Sequence, residues 1–471
     1  MKEEVLAGLA SIVGEEYLST REDVLLTYSE SASMAQTPVR PGAVVKPANS
    51  KEISEILKLA GKHGIPVTPR SGGTSLQGEV IPKPDGLVID LLRLNKIKIY
   101  EGLRTITVGA GITFGELDKF LNQYDLWVPV SPESALSCTV AGNVAVNGAG
   151  PGSSAFGSIA EMVIGVEVVL PNGEIIQTGS EASPYVPGPF LRYAFGPDLT
   201  GLFIGSLGAF GIITKVSLKT YLRMHYFDYN TYGFDNHESA EKFLVELKEN
   251  DVNGVFTSIY DGPVLELFMD MLGDEYGIEP CDWPERTISM TIGRVREDML
   301  QSDVKMAHEI CERLGGQVIG ITGLPKGEWE GRLWTFVRAC YAHGWHWRTL
   351  YHHLPPTLTH ESVETIRRRM DEAGFVGHTA GFVTGHSSMN MYPHLFWDPT
   401  DQAEQDKVVR THKQLATDLF KVGAVPFKLA PYWKDVLKGE PTIDNYMNFL
   451  ARVKNTIDPQ GILNPGVLGG I

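Results

Sequence analysis

Two long runs of small and turn-forming residues constrain the fold of this 471-residue chain more than any other feature. Residues 69–78 read PRSGGTSLQG, and residues 131–157 read SPESALSCTVAGNVAVNGAGPGSSAFG. Gly, Ser, Thr and Asn do not build a core, yet each run lies between apolar segments that predict strands or helices. Such loops let backbone N–H groups attract a phosphate without a cationic side chain. Each run alone is equally compatible with a surface turn.

A third run, GSLGAFG at residues 205–211, favours a shared ligand site over three unrelated turns. The runs lie within longer segments: VVKPANSKEISEILKLAGKHGIPVTPRSGGTSLQG at 45–78, SCTVAGNVAVNGAG at 137–150, GVEVVLPNGEIIQTG at 165–179, DLTGLFIGSLGAFGIITKVSLK at 198–219 and DPQGILNPG at 458–466. Together these segments resemble the flavoproteins with a p-cresol methylhydroxylase type FAD-binding domain, also called the vanillyl-alcohol oxidase superfamily. They follow the order of that family along nearly the whole chain.

The resemblance implies an α+β fold with two domains. Residues 1–225 are expected to form a two-subdomain FAD-binding domain, and residues 226–440 a cap, or substrate, domain. Strands and helices alternate in the cap, which indicates an antiparallel sheet with helices on one side. Residues 441–471 are expected to return to the FAD domain. FAD is expected to be non-covalently bound, since SGGTSLQG has no histidine where some relatives link the flavin.

The same resemblance implies which residues contact FAD. They lie in the first two loops and in the segment that follows the third. The predicted cofactor-binding residues are Pro69, Arg70, Ser71, Gly72, Gly73, Thr74, Ser75, Ser137, Cys138, Thr139, Gly142, Asn143, Gly148, Ser153 and Ile213. A small buried side chain is the competing interpretation for Cys138.

Local patterns around the first loop predict a strand, helix, strand unit. Residues 43–47 and 65–68 read as strands, and residues 50–63 as a helix with Ser50 as its N-cap. The unit lacks the GxGxxG fingerprint, so it is not interpreted as a Rossmann domain. Residues 162–177 predict a hairpin, and residues 264–269 predict a strand of the cap.

Composition and charge narrow the classes of partner. The formal net charge of −16 argues against nucleic acid and anionic membranes. No apolar run is long enough for a transmembrane segment, and the chain opens on an acidic amphipathic segment, so a cytoplasmic protein is expected. Four cysteines without a CxxC pair predict reduced thiols and no zinc or iron–sulfur cluster. An oligomer is expected, and without a cluster a dehydrogenase needs a separate electron-accepting protein or subunit.

Candidate catalytic residues of the cap lie in LWTFVRACYAHGWHWRTLYHHLPP, residues 333–356. Aromatic rings interleaved with Arg and His suit a planar or carboxylate-bearing substrate, and Arg348 and His353 are predicted to act on it. For any single histidine here, the competing interpretation is a bond to a backbone carbonyl on the cap surface.

A second stretch, GHSSMNMYPHLFWDP at residues 385–399, bears on whether the protein binds a metal. In the resembling glycolate oxidase and D-lactate dehydrogenase branch, this segment and a downstream Glu-His pair hold a divalent metal. Asn390 and Pro393 match that pattern, but Tyr392 replaces a histidine ligand, and Lys428 with Leu429 replaces the pair. The sequence therefore predicts no metal.

In the vanillyl-alcohol oxidase branch, a Tyr-Arg pair that helps to hold a phenolate occupies the positions of Phe427 and Lys428. Lys428 is therefore predicted to bind a substrate anion or to stabilise the reduced flavin anion, the alternative being a solvated loop lysine. Tyr392 and His386 are predicted to handle a proton as a pair.

The leading functional hypothesis is an FAD-dependent dehydrogenase of a 2-hydroxy acid, because the flavin-domain motifs most resemble that branch. Its substrate would be a small hydroxyl-bearing molecule, anionic or aromatic. The second hypothesis is metal-free oxidation of an aromatic alcohol or 4-alkylphenol, which the missing metal ligands favour. The third is a flavin subunit that mainly passes electrons within a larger complex.

Overall fold

The computed structural model describes residues 1–31, 38–76, 78–266, 283–319, 344–377, 379–430 and 432–470. The chain divides into two compact units. Unit 1 comprises Met1–Gly148, Ile159–Tyr221 and Lys428–Ile471, whereas unit 2 comprises Ala149–Ser158 and Leu222–Phe427. Part of the second glycine-rich loop therefore belongs to unit 2, while the domain limits derived from the sequence stay predictions.

The described part of unit 1 contains a four-stranded sheet, a five-stranded sheet and a short two-stranded sheet. Its strands are β1 (Leu18–Ser19), β2 (Ala43–Val45), β3 (Val67–Arg70), β4 (Leu87–Asp90), β5 (Ile97–Tyr100), β6 (Thr105–Gly109), β7 (Leu126–Trp127), β8 (Val163–Val169), β9 (Ile175–Gln177) and β10 (Ile212–Lys219), and β11 (Tyr221–Leu222) ends the segment. The first sheet has the order β1-β2-β4-β3, with β2, β4 and β3 parallel. The second has the antiparallel order β5-β6-β10-β8-β9. The four-stranded and five-stranded sheets match the two subdomains that the sequence predicted, and β7 pairs with β11 in the third sheet.

The helices of unit 1 are α1 (Glu3–Val13), α2 (Glu22–Thr27), α3 (Ser50–His63), α4 (Phe114–Leu121), α5 (Val140–Ala145) and α7 (Leu199–Phe203), followed after unit 2 by α12 (Trp433–Leu437) and α13 (Pro441–Ile457). Helix α3 has the predicted bounds and buries the apolar stripe Ile53, Ile56 and Leu57. The predicted cap was wrong. Asn49, not Ser50, caps α3 by accepting from the N–H groups of the second and third residues after it, because Ser50 turns its hydroxyl to Glu167.

Unit 2 is an antiparallel sheet of nine strands within the described part of the chain. They are β12 (Tyr226–Phe234), β13 (Phe256–Asp261), β14 (Arg286–Arg294), β15 (Gln317–Ile319), β16 (His346–Thr349), β17 (His352–Leu354), β18 (Thr379–Val383), β19 (Met389–Trp397) and β20 (Val425–Pro426). Their order is β15-β12-β14-β13-β18-β19-β17-β20, with β16 on β19. The helices are α6 (Ser153–Phe156), α8 (His237–Glu249), α9 (Glu297–Arg313), α10 (Thr359–Glu372) and α11 (Gln402–Lys421).

The core of unit 2 lies on one face of this sheet. Phe243 of α8, Leu300 of α9 and Val363 of α10 pack there with Met389 and Met391 of β19. Because side chains alternate along a strand, the residues between these methionines point to the opposite face. The predicted arrangement of helices on one side of the cap sheet is confirmed.

One predicted strand of the cap was wrong. Residues 262–266 form a helical turn directly after β13 instead of the start of a strand, and residues 267–269 lie outside the described residues. Asp261 begins the turn by accepting a hydrogen bond from the N–H of Val264 at 3.1 Å, which favours a helical start over an extended chain. Cys281 and Cys340 also lie outside the described residues, whereas Cys138 and Cys311 are buried free thiols. None of the described helices is both long and apolar enough to cross a membrane.

Candidate functional site

The three glycine-rich loops converge in unit 1. Loop 1 (residues 71–76) follows β3, and the Thr139 hydroxyl of loop 2 (residues 131–148) donates to the Ser71 hydroxyl at 2.7 Å. Loop 3 (residues 204–211) donates from the N–H of Gly205 to Val144 O at 3.0 Å and from that of Leu207 to Ala145 O at 2.8 Å. Segments more than sixty residues apart in sequence thus form one surface.

Close backbone approach explains why these loops contain glycine. A Cβ at Gly72 would overlap the carbonyl oxygen of Ser137, a backbone atom that cannot turn away. A Cβ at Gly142 would lie 2.7 Å from Ser71 Oγ, and one at Gly208 would lie 2.8 Å from the Pro69 ring. Gly208 also has a φ of +73°, which disfavours any larger residue.

Loop 1 offers hydrogen-bond donors, as the nest of a phosphate group requires. Within the described chain, the N–H groups of residues 72–76 donate to no backbone carbonyl. Loop 2 adds the amide oxygens of Asn143 and Asn147, which are buried and have no hydrogen-bond partner among the described residues. Because buried polar groups are ordinarily satisfied, open donors and acceptors side by side fit an extended ligand with a diphosphate and several hydroxyls, such as FAD.

A buried polar anchor in the C-terminal segment holds loop 3. The ammonium of Lys454 in α13 donates to Ala209 O at 2.7 Å, to Leu463 O at 2.7 Å and to the Asp458 carboxylate at 2.5 Å. The Asn464 amide donates to Leu207 O at 2.6 Å. The sequence had indicated that this segment returns to the FAD domain but assigned these residues no role.

Four further predicted cofactor-binding residues lie in different parts of the structure. The Arg70 guanidinium lies 5.3 Å from the centre of the Tyr28 ring and donates to Glu30 O at 3.0 Å. Burial raises the pKa of the Cys138 thiol, which stays protonated. Ile213 is a buried residue of β10, and Ser153 belongs to unit 2. The proposed contacts of these four residues with FAD, like those of all the predicted cofactor-binding residues, stay predictions.

Lys428, the predicted anion-binding residue, is tied to loop 1. Its ammonium donates to the Ser75 hydroxyl at 3.4 Å, and the same hydroxyl donates to the carboxylate of Glu79. Sequence reasoning missed Glu79. The signal was present, since an acidic residue directly after a phosphate-type loop is electrostatically unfavourable without a partner cation.

The face of the unit 2 sheet opposite α8, α9 and α10 carries polar and aromatic side chains. His353 of β17 pairs with Asn390 of β19 in the register, and Tyr392 follows on the same face. The ring of His353 lies 5.0 Å from that of Phe427, and the rings of Tyr392 and Tyr351 are 4.9 Å apart. Both atoms of the fully buried Asn390 amide have no hydrogen-bond partner among the described residues. Burial lowers the pKa of His353 to about 4, so its ring is neutral at pH 7.

The two remaining catalytic candidates lie apart from this face. Arg348 alternates with Trp347 in β16 and lies near α11, where it helps burial to lower the pKa of His412. His386 is exposed in the turn between β18 and β19. Among the described residues, no hydrogen bond or ring contact joins His386 to Tyr392, so the structure does not bring the predicted proton-handling pair together.

A cluster in unit 2 has the composition of a metal site. Ligand atoms of His237, His360 and Glu364 lie within 4.8 Å of one another. However, the Arg286 guanidinium lies 2.6 and 2.8 Å from the two ring nitrogens of His237, and Arg367 donates to Glu364 at 3.2 Å. Since guanidinium groups already contact His237 and Glu364, two of the three candidate ligands, the cluster is better explained as an ion-pair network. The absence of a metal stays a prediction.

Two family models match parts of the chain. Residues 41–179 match the model described as an FAD binding domain, and residues 443–468 match the C-terminal domain of FAD linked oxidases. The first match covers loop 1 and loop 2, and the second covers the anchor that holds loop 3. The prediction of FAD as cofactor is confirmed.

Curated relatives extend the similarity beyond these matches. The chain is 24% identical to the glycolate oxidase subunit GlcD of Bacillus subtilis over 482 residues, which cover 98% of this chain and 96% of that protein. It is 32% identical to a D-lactate dehydrogenase of Archaeoglobus fulgidus over 204 residues, 43% of this chain and 44% of that protein.

A solved structure has a similar fold. Substrate-bound p-cresol methylhydroxylase superposes with a TM-score of 0.83 at 18% identity and covers 99% of this chain and 96% of that one. The predicted α+β fold class is therefore confirmed. The chain therefore carries an FAD binding domain and the C-terminal domain of FAD linked oxidases, and it shares its fold with p-cresol methylhydroxylase.

Proposed function

We propose that this oxidoreductase is a dehydrogenase that oxidises a 2-hydroxy acid to the 2-oxo acid and passes the electrons to a separate acceptor. The observation that carries the proposal is the similarity to the glycolate oxidase subunit GlcD along nearly the full length of both chains. The local similarity to a D-lactate dehydrogenase supports the same substrate class.

The reaction sets three tasks for the protein. Oxidation of the hydroxyl-bearing carbon removes a hydride, with both electrons of the C–H bond, and the hydroxyl loses a proton. FAD, when bound, supplies the two-electron acceptor. The side chains have to bind the carboxylate, orient the hydroxyl and accept its proton.

His353 is the residue that we propose as proton acceptor. A general base must be unprotonated at the working pH, and burial keeps the pKa of this imidazole at about 4. The Thr384 hydroxyl lies 3.3 Å from Nδ1 of His353 and limits rotation of the ring. The low pKa makes His353 a weak base, but a base that is available throughout the neutral range.

Asn390 and Tyr392 are proposed to orient the substrate on the same sheet face. An amide offers both a donor and an acceptor, which matches a hydroxyl beside a carboxylate. A buried amide without partners costs free energy, so a ligand that satisfies it gains affinity and selectivity. Tyr392 presents its ring among Tyr351, Phe382 and His394, so it also sets the width available to the substrate.

The second candidate is metal-free oxidation of an aromatic alcohol or 4-alkylphenol. The ring contacts of Tyr351, Tyr392 and Phe427 favour it, because aromatic side chains bind planar substrates. The fold shared with p-cresol methylhydroxylase is compatible with this chemistry.

Anaerobic spectrophotometry of the FAD-loaded protein separates the candidates. Loss of the visible absorption band of oxidised flavin on addition of D-lactate or glycolate supports the proposal. Loss only with a hydroxybenzyl alcohol or 4-alkylphenol replaces it with the second candidate. If no small donor reduces the flavin, but a purified partner protein does, the chain acts as an electron-transfer subunit.

A further inference from the structure

One hydrogen-bonded chain in unit 1 links two predicted site residues, Lys428 and Ser75, to Glu79, which has no role assigned so far. Lys428 donates to the Ser75 hydroxyl at 3.4 Å, and Ser75 donates to Oε1 of Glu79. The ammonium and the hydroxyl are half-buried, whereas Glu79 is buried with 4% of its surface exposed. The chain therefore runs from the surface of loop 1 into the interior of unit 1.

The direction of these bonds follows from the chemistry of the three groups. An ammonium only donates, and an ionised carboxylate only accepts. A hydroxyl has a single proton, so Ser75 cannot donate to a ligand while it donates to Glu79. Glu79 thereby turns the lone pairs of Ser75 towards Lys428 and fixes the position from which the ammonium is held.

Glu79 is placed at an energetic cost. Its Oε2 is buried without a hydrogen-bond partner among the described residues, and Asn464 donates only to its backbone oxygen, at 3.2 Å. A buried carboxylate beside a phosphate-type loop is unfavourable unless a nearby cation balances its charge. Lys428 is a cation that the structure links to it.

We propose that Glu79 is a positioning residue that acts through Ser75 to hold the Lys428 ammonium at loop 1 as the binding site of one oxyanion. That oxyanion is either a phosphate of FAD or the carboxylate of the substrate, and only the second source rests on the proposed function. A lysine stem is flexible, so fixing its ammonium before the anion arrives lowers the entropy lost on binding.

The experiment compares Lys428→Met, Ser75→Ala, Glu79→Gln and the double variant Glu79→Gln/Lys428→Met. Glu79→Gln keeps an acceptor for Ser75 but removes the charge. Lys58→Met and Glu55→Gln are matched controls, because they remove an exposed ion pair of the same two residue types from α3. Thermal unfolding of each variant shows that it is folded.

Two probes distinguish the sources of the oxyanion without any turnover. The first is the dissociation constant of FAD from the apoprotein, measured by quenching of flavin fluorescence. The second is the dissociation constant of oxalate from the FAD-loaded protein, measured by the change in flavin absorbance. If Lys428 binds a phosphate of FAD, the substitutions change the dissociation constant of FAD. If it binds the substrate carboxylate, they change the dissociation constant of oxalate.

We expect Lys428→Met to raise one of the two dissociation constants by about tenfold or more. A loss of this size is typical of a charged hydrogen bond. Glu79→Gln and Ser75→Ala should raise the same dissociation constant. The double variant should bind that ligand no more weakly than Lys428→Met does. The controls should leave both constants unchanged. Non-additivity of this kind is the signature of residues that act as one unit.

Two results would overturn the proposal. If Lys428→Met raises one of the dissociation constants but Glu79→Gln and Ser75→Ala do not, Glu79 and Ser75 do not position the ammonium. If Lys428→Met changes neither constant, there is no oxyanion site at Lys428. Failure of the proposed function is a separate result, since it appears as wild-type protein whose flavin no 2-hydroxy acid reduces while the FAD probe remains readable.

Discussion

The glycine-rich loops of unit 1 and the polar sheet face of unit 2, opposite α8, α9 and α10, use opposite means to prepare a site. The loops contain residues with little or no side chain, and their backbone groups come close enough that a Cβ at Gly72 would overlap Ser137. The sheet face contains bulky polar side chains such as His353 and Tyr392, held by strand register. Backbone contacts suit a cofactor that is always the same molecule. Side-chain contacts allow amino-acid substitutions to change which substrate is bound.

This difference predicts different consequences of mutation. Changes in the loops or their anchor should alter stability and cofactor retention, whatever the substrate. Changes on the sheet face should alter turnover while FAD stays bound. The predictions below test that separation, in order of decreasing effect.

The largest effect is expected from Lys454→Met in the anchor of loop 3. The substitution leaves the Asp458 carboxylate buried without its cation and removes donors from Ala209 O and Leu463 O. Breaking a buried pair on one side costs about 3–5 kcal/mol. Urea denaturation should show that loss in the free energy of unfolding, together with premature release of FAD.

The exposed Lys58 provides the control for this prediction. Lys58→Met should change the unfolding free energy by less than about 1 kcal/mol, because surface ion pairs contribute little. Equal stability of the two variants would show that the anchor does not support loop 3.

His353→Gln tests the sheet face. Removal of a general base typically lowers kcat by about 100-fold or more, and the FAD content should remain that of wild type. Because burial holds the pKa of His353 at about 4, the wild-type rate should be constant above that pH and fall as pH drops through it. The variant should lose this acidic limb of the profile.

His63→Gln, at the end of α3 in unit 1, is the matched histidine control and should leave kcat unchanged. A His353→Gln variant that keeps both the wild-type rate and the acidic limb would remove His353 from the mechanism. Loss of FAD from that variant would instead contradict the separation between the two regions.

Gly72→Ala tests the loops with the smallest possible change. The new methyl group would meet the Ser137 carbonyl, so loop 1 and loop 2 must separate, at a cost of about 1–3 kcal/mol for overpacking. The FAD dissociation constant should rise by at least tenfold, with kcat of the FAD-saturated protein nearly unchanged. Gly102→Ala is the control, since no atom lies within 4 Å of its Cβ position. Equal affinity in both variants would contradict a tight backbone cradle.

The two regions also differ in how far the sequence predicts them. Helix α3 was predicted to its ends and the glycine-rich loops were located, because local spacing and backbone requirements determine both. Only its cap was misassigned, since Ser50 is drawn to Glu167, 117 positions away in the chain. The pairing of His353 with Asn390 depends on the register of distant strands, which no local pattern records. Arg348 also shows the limit of prediction from local sequence. The residue types around it suggested a substrate site, whereas its position in β16 places it near α11.

Asn390→Leu is expected to have the smallest effect on stability, and its direction distinguishes a functional residue from a structural one. The amide of Asn390 has no hydrogen-bond partner among the described residues, so leucine should keep or raise the free energy of unfolding, by up to about 1 kcal/mol. Asn230→Leu in the same sheet should lower it by about 1–3 kcal/mol, since Asn230 donates to Asp228 and lies 3.2 Å from the His308 ring nitrogen. If Asn390 binds substrate, Asn390→Leu should raise KM for the 2-hydroxy acid by about tenfold. A variant that is destabilised like Asn230→Leu, with unchanged KM, would make Asn390 a structural residue and return the substrate contact to its neighbours on the sheet face.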